Sequence, residues 1–301
     1  MEKIITATDG LPISIHVYAV ENPKASIQII HGMSEHKARY DFFAKKLQEH
    51  GYTVLISDLR GHGKSILSDA DYGYFAKKDG VKLLIQDQRI INEYLRNIEP
   101  NAPIYMFAHS MGSLIARNFI QVYDNQIQKL ILSGAPCYRK GVRAARFLSK
   151  WIMKFSGVKT HHPLIRFFAE YATSRKDENL NEWLSYNPDN VTTYQNDPLC
   201  GFSFTNAGYI TLYELVIGLH HYDHYQVKNP DLPILFLSGV DDRVTGGQKG
   251  LDDSIHSLKK VGYRQIEKQI YPNMRHEILN ETKRQTVIDD VINFYENHFK
   301  K

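Results

Sequence analysis

Six short β-rich runs constrain the fold most strongly: ASIQIIHG (25–32), YTVLISD (52–58), PIYMFAHS (103–110), KLILSG (129–134), PILFLSG (233–239) and RQIEKQIYP (264–272). Helical patterns separate them. Between 81 and 98, Val81, Leu84, Ile85, Ile91, Leu95 and Ile98 recur at helical spacing. Near-continuous apolar runs alternating with helices predict a parallel sheet covered on both faces. Segments 3–7 and 12–19 read as a hairpin closed by Asp9-Gly10, which adds an antiparallel edge. The fold class is therefore α/β, a mostly parallel sheet flanked by helices.

The alternation stops between residues 135 and 229. That stretch is helical in pattern, rich in aromatics and histidine, and broken at Gly157, Pro163, Pro188, Pro198 and Pro230. Because it lies between two core strands, it must leave the sheet and return. The predicted division is a core of 1–134 and 230–301 with an inserted helical cap over 135–229. A net charge of +4 without a dense Lys/Arg block argues against nucleic acid as a partner. The N-terminal stretch lacks the pattern of a signal peptide, and no apolar run approaches the roughly 20 residues that span a bilayer. Cys137 and Cys200 show no CxxC spacing and read as free thiols in a reducing compartment. A cytoplasmic protein is the expectation.

The sharpest chemical signal is PIYMFAHSMGSLIARNFI (103–120). A buried-strand run ends at Ala108-His109-Ser110-Met111-Gly112 and a helical pattern follows at once, the context of a G-x-S-x-G nucleophile elbow. Small residues are needed on either side of the serine because strand and helix pass closely at so sharp a turn. Ser110 then projects its hydroxyl from the carboxyl edge of the sheet, at a helix N-terminus that favours developing negative charge.

A serine hydroxyl needs a base to take its proton and a third group to orient that base. In this context the acid and then the histidine follow the serine along the chain. Asp241 and Asp242 follow the run 233–239, and His276 follows 264–272 just before a terminal helix around 281–298. Both lie at carboxyl ends of strands, where ligands gather in open α/β sheets. His298 falls inside that terminal helix and His256 inside the helix after Asp242, which suits neither to the role. Adjacent aspartates are not separated by these considerations. HGMSEH (31–36) also follows a core strand. Its Gly32–Met33 turn can supply one backbone N–H to an oxyanion and Met111 the other, with His31 stabilising the turn.

HGMSEHKARYDFFAKKL, GYTVLISDLRGHGKS, AHSMGS and SGVDDRV together resemble the monoacylglycerol lipase and lysophospholipase group of α/β-hydrolases. WLSYNPDNVTTYQNDPLCGFSFT (183–205) is similar to its bacterial members. The resemblance spans nearly the whole chain and implies a serine hydrolase of carboxylic esters. It assigns the acid to Asp242, three residues after Gly239, the base to His276, and the oxyanion donors to Met33 and Met111. Ala108 and Ser113 stand where the group commonly carries glycine.

Other features take quieter readings. Asp58, Arg60 and the GHGKS loop (61–65) lack the P-loop pattern and read as structural. His220, His221, Asp223 and His224 have spacing a metal could use, but packing or solvent contact is the expectation. Over 139–158 an apolar face including Trp151, Ile152, Phe155 and Val158 runs beside a stripe of Arg139, Arg143, Arg146, Lys150 and Lys154. Trp151 and Phe155 are expected to roof the active site as substrate-binding residues, and the basic stripe to meet water or an anionic membrane surface at the periphery. No metal or other cofactor is expected. A small amphiphilic ester is the expected substrate; the alternatives are a peptidase or amidase on the same triad, or a non-catalytic lipid-binding protein.

Overall fold

The computed structural model describes residues 1–170 and 181–297. His298 and the 171–180 part of the expected cap lie outside the described residues. The strands are β1 (Glu2–Thr6), β2 (Pro12–Tyr18), β3 (Ala25–Ile30), β4 (Tyr52–Ser57), β5 (Ile104–His109), β6 (Lys129–Ser133), β7 (Ile234–Gly239) and β8 (Ile266–Tyr271). They form one sheet in the order β1-β2-β4-β3-β5-β6-β7-β8. β1 pairs antiparallel with β2, and β2 with β4; every later pairing is parallel.

Helices cover both faces, as the unbroken apolar runs require. On one side Ile27, Ile29, Val54, Ile56, Phe107 and Ile131 pack with residues of α1 (Asp41–Glu49) and, near the C-terminus, of the helix Arg284–Glu296. On the other, Ile30, Leu55, Met106, Ala108, Leu130 and Leu132 pack with α2 (Gly80–Ile98), α3 (Met111–Tyr123) and the helix Gly247–Lys260. The period of two along each strand thus divides one apolar run between two cores. The β8 edge is polar: Glu267, Lys268 and Gln269 are exposed, charge that protects an open edge from pairing. The C-terminal helix begins at Arg284, three residues later than the sequence pattern suggested.

Between β6 and β7 the chain forms α4 (Val142–Ser156), α5 (Pro163–Glu170), α6 (Pro188–Asn196) and α7 (Asn206–Gly218), before α8 (Gly247–Lys260) and α9 (Arg284–Glu296) complete the fold. α7 is buried on nearly every side. It packs on α2 and α3 as well as on α4, and Asn118 and Gln121 of α3 donate to the carbonyls of Leu215 and Gly218 at 3.0 and 2.9 Å. The returning part of the excursion is therefore seated on core helices.

Strand order reverses between β3 and β5. The loops leaving these neighbours part there, opening a crevice at their carboxyl ends. Nearby, a buried fork fixes the loop after β4. Arg60 Nε and Nη2 donate to Asp87 at 2.6 and 2.9 Å, and Nη1 donates to Asp9 of the hairpin turn at 2.9 Å. The Arg60 and Asp87 side chains are 1% and 2% exposed. Removing Asp87 leaves the buried Arg60 with Asp9 as its one remaining carboxylate, so Asp87→Ala should lower unfolding stability in urea by about 3 kcal/mol, the lower end for a broken buried pair. A loss below about 1 kcal/mol would place this pair with solvent-screened surface bridges.

Candidate active site

β5 ends at His109, α3 begins at Met111, and Ser110 occupies the turn with φ 52° and ψ −120°. A left-handed φ strains a residue other than glycine, and it persists only where the surroundings over-determine it. Here they do. Ser110 N–H donates to the Ser133 carbonyl of β6 at 2.9 Å, while Ser113 N–H and Oγ both donate to the Ser110 carbonyl, at 2.9 and 2.6 Å. A Cβ on Gly112 would come within 2.4 Å of the Ile30 carbonyl oxygen, so glycine is required where α3 passes the end of β3. Ser113, a departure from the common pattern, supplies a hydroxyl that secures the elbow.

His276 Nε2 lies 2.8 Å from Ser110 Oγ, and His276 Nδ1 lies 3.0 Å from Asp242 Oδ2. Asp242 accepts the Val244 N–H on its other oxygen at 2.8 Å. With a carboxylate against Nδ1, the ring carries its proton there and presents an unprotonated Nε2 to the serine. Both Asp242 and His276 are buried. Burial alone would depress the histidine pKa, but the charge and hydrogen bond of Asp242, joined by Glu277 and Glu35, lift it above the ordinary 6.5. Asp241 points outward and accepts the Tyr186 hydroxyl at 3.0 Å. The structure thus separates the two aspartates that the sequence left adjacent.

The Gly32 N–H is taken by Glu35 Oε1 at 2.5 Å. The N–H groups of Met33 and Met111 have no protein acceptor among the described residues, and both residues line the same cavity as Ser110. Such a pair can stabilise negative charge on an oxygen bonded to the serine-attacked carbon. His31 does not reach the cavity: its Nε2 accepts the Leu59 N–H at 2.9 Å and its Nδ1 donates to the Gly32 carbonyl at 2.8 Å, which braces the turn.

With this geometry in place, the comparisons with known proteins are direct. The family model described as serine aminopeptidase, S33 (Hydrolase_4), matches residues 21–283. The chain belongs to this family. It is a serine hydrolase of the α/β-hydrolase fold. A monoacylglycerol lipase of Mycolicibacterium smegmatis is 25% identical over 301 residues, covering 99% of this chain and 97% of its own. Phospholipase YtpA of Bacillus subtilis is 24% identical over 275 residues, with 90% and 94% covered. Among solved structures, a carboxyl esterase from Bacillus coagulans superimposes with a TM-score of 0.88 at 24% identity, covering 98% of this chain and 97% of that one. At this identity the likeness is one of fold.

The S33 hydrolase has a cavity of about 1270 Å³ over Ser110. Val142, Ala145, Phe167, Leu212 and Val216 give it apolar walls, and Trp183 stands 5.2 Å from the His276 ring between centroids. Trp151 and Phe155 correct the sequence reading. They are 59% and 77% exposed and do not line the cavity. α4 packs on α7, with its less exposed positions Val142, Ala145, Ser149 and Ile152 recurring every three or four residues, and this narrow stripe turns the rest of the broad apolar arc outward. Arg146 and Lys150 pair with Glu214 of α7 at 2.7 and 2.8 Å, removing two members of the basic stripe. The residue that sequence reasoning missed is Trp183; it stood in the quoted 183–205 stretch but carries no periodic signal.

The remaining candidates resolve into structure. The GHGKS loop wraps an anion of the protein's own: Asp58 accepts Lys37 Nζ at 2.7 Å and the Lys64 N–H at 2.9 Å. His220 stacks on Tyr138 at 4.0 Å and faces Asp253 at 3.3 Å, while His221 and His224 pack ring to ring at 4.7 Å. Among the described residues, atoms converge closely enough for a metal only at His36, Asp197 and Cys200. There His36 and Asp197 already bond each other at 2.8 Å, and burial raises the Cys200 thiol pKa, so it stays protonated. Cys137 and Cys200 are free thiols, Cys137 buried and Cys200 half-buried.

The two aspartates offer the sharpest check on this geometry. Asp242→Asn should hold the wrong histidine tautomer against Ser110 and lower kcat by about 10⁴-fold. Asp241→Asn should leave kcat on a soluble ester near the wild-type value. The reverse ranking would move the acid to Asp241.

Proposed function

We propose that this S33 hydrolase cleaves carboxylic esters of single-acyl amphiphiles, of the monoacylglycerol and lysophospholipid kind, through Ser110, His276 and Asp242. The observation that carries the reading is the hydrogen-bonded line from Asp242 through His276 to Ser110 at the floor of a large apolar-walled cavity. In the reaction Ser110 Oγ attacks the ester carbonyl carbon as its proton passes to His276 Nε2. The carbonyl oxygen gathers negative charge between the N–H groups of Met33 and Met111. Collapse breaks the bond to the alcohol, which leaves with the proton from His276. Water then gives its proton to His276 and attacks the acyl carbon, and Ser110 recovers its proton as the fatty acid departs.

The names of the relatives favour lipid esters, whereas the family's description favours cleavage of a peptide's first bond. A peptide α-amino group needs a carboxylate free to receive it. Among the described residues three carboxylates line the cavity: Arg39 already binds Glu35 and Glu277, and Asp253 faces His220 at 3.3 Å. Esters are therefore the preferred reading.

The segment 135–229 serves in this reading as a cap that also meets the lipid phase. Phe147, Leu148, Trp151, Phe155 and Leu164 expose large apolar side chains that water alone does not favour. The exposed cations Arg143 and Lys154 suit an anionic interface. No described helix is long and apolar enough to cross a membrane, so the contact is peripheral.

One comparison tests both halves. Wild type should hydrolyse monoacylglycerols and medium-chain nitrophenyl esters and leave aminoacyl amides untouched; the opposite preference would make it a peptidase. Trp151 and Phe155 both changed to Ala should keep kcat/KM on soluble esters, because neither side chain lines the cavity. Binding to phosphatidylserine-containing vesicles should weaken by about 10-fold or more, given roughly 1.5–3 kcal/mol for burying a large apolar side chain. Unchanged vesicle binding would remove the membrane role from this helix.

A further inference from the structure

Acyl transfer makes no direct use of the buried charges behind the triad, yet these charges link the turn after β3 to the loop that carries the base. Arg39 Nη1 lies 2.8 Å from Glu35 Oε2 and 2.7 Å from Glu277 Oε1. Its Nη2 donates to Glu277 Oε2 at 2.7 Å and to Asn190 Oδ1 of α6 at 3.0 Å. Asn190 closes the ring by donating its own amide to Glu277 Oε2 at 2.7 Å. The Arg39, Glu35 and Glu277 side chains are 8%, 4% and 5% exposed. Burying three charges is a poor route to stability, since well-packed apolar residues often serve as well or better. Their arrangement has another consequence.

Glu35 accepts the Gly32 N–H on its remaining oxygen, at 2.5 Å, together with the Tyr40 hydroxyl at 2.9 Å. That bond fixes the His31–Gly32 peptide and leaves the N–H of the next one, at Met33, as the donor toward the cavity. Glu277 is the neighbour of His276, and its own N–H is held by the Leu184 carbonyl at 2.7 Å. One guanidinium therefore grips, through two carboxylates, the turn that carries an oxyanion donor and the loop that carries the base. A planar fork does this with fixed angles; a lysine ammonium could match its charge but not its geometry.

We propose that Arg39 is a positioning residue that holds the Gly32–Met33 turn, the His276 loop and α6 in one register, so aligning the Met33 N–H against the carbon that Ser110 attacks. The proposal rests on the reading of Ser110, His276 and Asp242 given above. It makes α6 a fixed part of the active site. Tyr194 of α6 donates to the Ser34 carbonyl at 3.0 Å, which ties the same helix to the same turn.

The charges facing His276 give the test a readout that a merely structural role would not move. Asp242 lies against Nδ1, the charges of Glu277 and Glu35 act on the ring with Arg39 bound between them, His109 packs tilted at 4.8 Å between centroids, and Trp183 packs tilted at 5.2 Å. Burial, with the His276 charge, holds the His109 pKa near 4, so His109 is neutral. Two carboxylates against one guanidinium leave a net negative charge that favours protonated His276. Only neutral His276 can accept the serine proton, so kcat/KM should rise with pH through an inflection above 6.5. Glu277→Gln removes one negative charge, lowers the histidine pKa and should move that inflection to lower pH.

The experiment measures kcat, KM and the pH profile of kcat/KM on nitrophenyl acetate, with thermal melting to correct for folded fraction. Arg39→Met should lower kcat by about 10²-fold, the scale of one lost oxyanion donor, with KM within a few fold of wild type. Arg39→Lys should recover the wild-type inflection but only part of kcat. If Arg39→Met does not fold, Arg39→Lys and Glu277→Gln carry the test alone. Wild-type kcat in the folded Arg39 variants, a change confined to KM, or an unmoved inflection in Glu277→Gln would each overturn the proposal. Ser110→Ala, run alongside, separates the two levels. If it retains turnover, the nucleophile assignment fails; if it is inactive while Arg39 variants run at wild-type rates, only the positioning role fails.

Discussion

At Ser110 the backbone turns from β5 into α3 with a φ of 52°, and the usefulness of the surrounding fold depends on that turn being held. The sheet supplies the restraint. β5 lies between β3 and β6, so the elbow is bonded to the Ser133 carbonyl on one side and pressed against the Ile30 carbonyl on the other. The crevice arises from the reversal of strand order at β3 and β5, which brings the turn after Ile30 and the elbow after His109 to the same edge. A serine in a relaxed helix start could not present its hydroxyl to a base from a loop 166 positions away.

The second constraint is electrostatic. The site gathers Asp242, Glu35 and Glu277 around two histidines and one guanidinium, all withdrawn from water. Burial pushes both histidines toward neutrality. His109 yields to it, whereas His276 does not, because a carboxylate bonds its Nδ1 directly. Similar rings on neighbouring loops are thus given opposite tendencies by their partners, and only one is poised to exchange a proton with Ser110.

The legible parts of this molecule were local. The central strands showed as mostly apolar runs because both their faces are buried, and the elbow showed because strand, turn and helix are contiguous. The hidden parts depend on tertiary neighbours. Asp241 and Asp242 differ only in which way a loop carries them, so resemblance rather than spacing chose between them. In α4 the sequence revealed an amphipathic arc but not its rotation; contact with α7 through Val142, Ala145 and Ile152 left Trp151 and Phe155 outside. Glu35 and Arg39 carried no reading of their own in the sequence, since Glu277, 238 positions from Arg39, gives no local sign of its partner.

In the proposed reaction a strained elbow, a base and two N–H donors activate Ser110 as the nucleophile. Labelling the intact protein with a fluorophosphonate and mapping the adduct by peptide mass spectrometry tests it most directly, because such a probe captures only a serine activated in this way. One adduct is expected, on the peptide carrying Ser110, absent from a folded Ser110→Ala variant. An adduct on another residue of the wild type, or labelling that persists in Ser110→Ala, would contradict it.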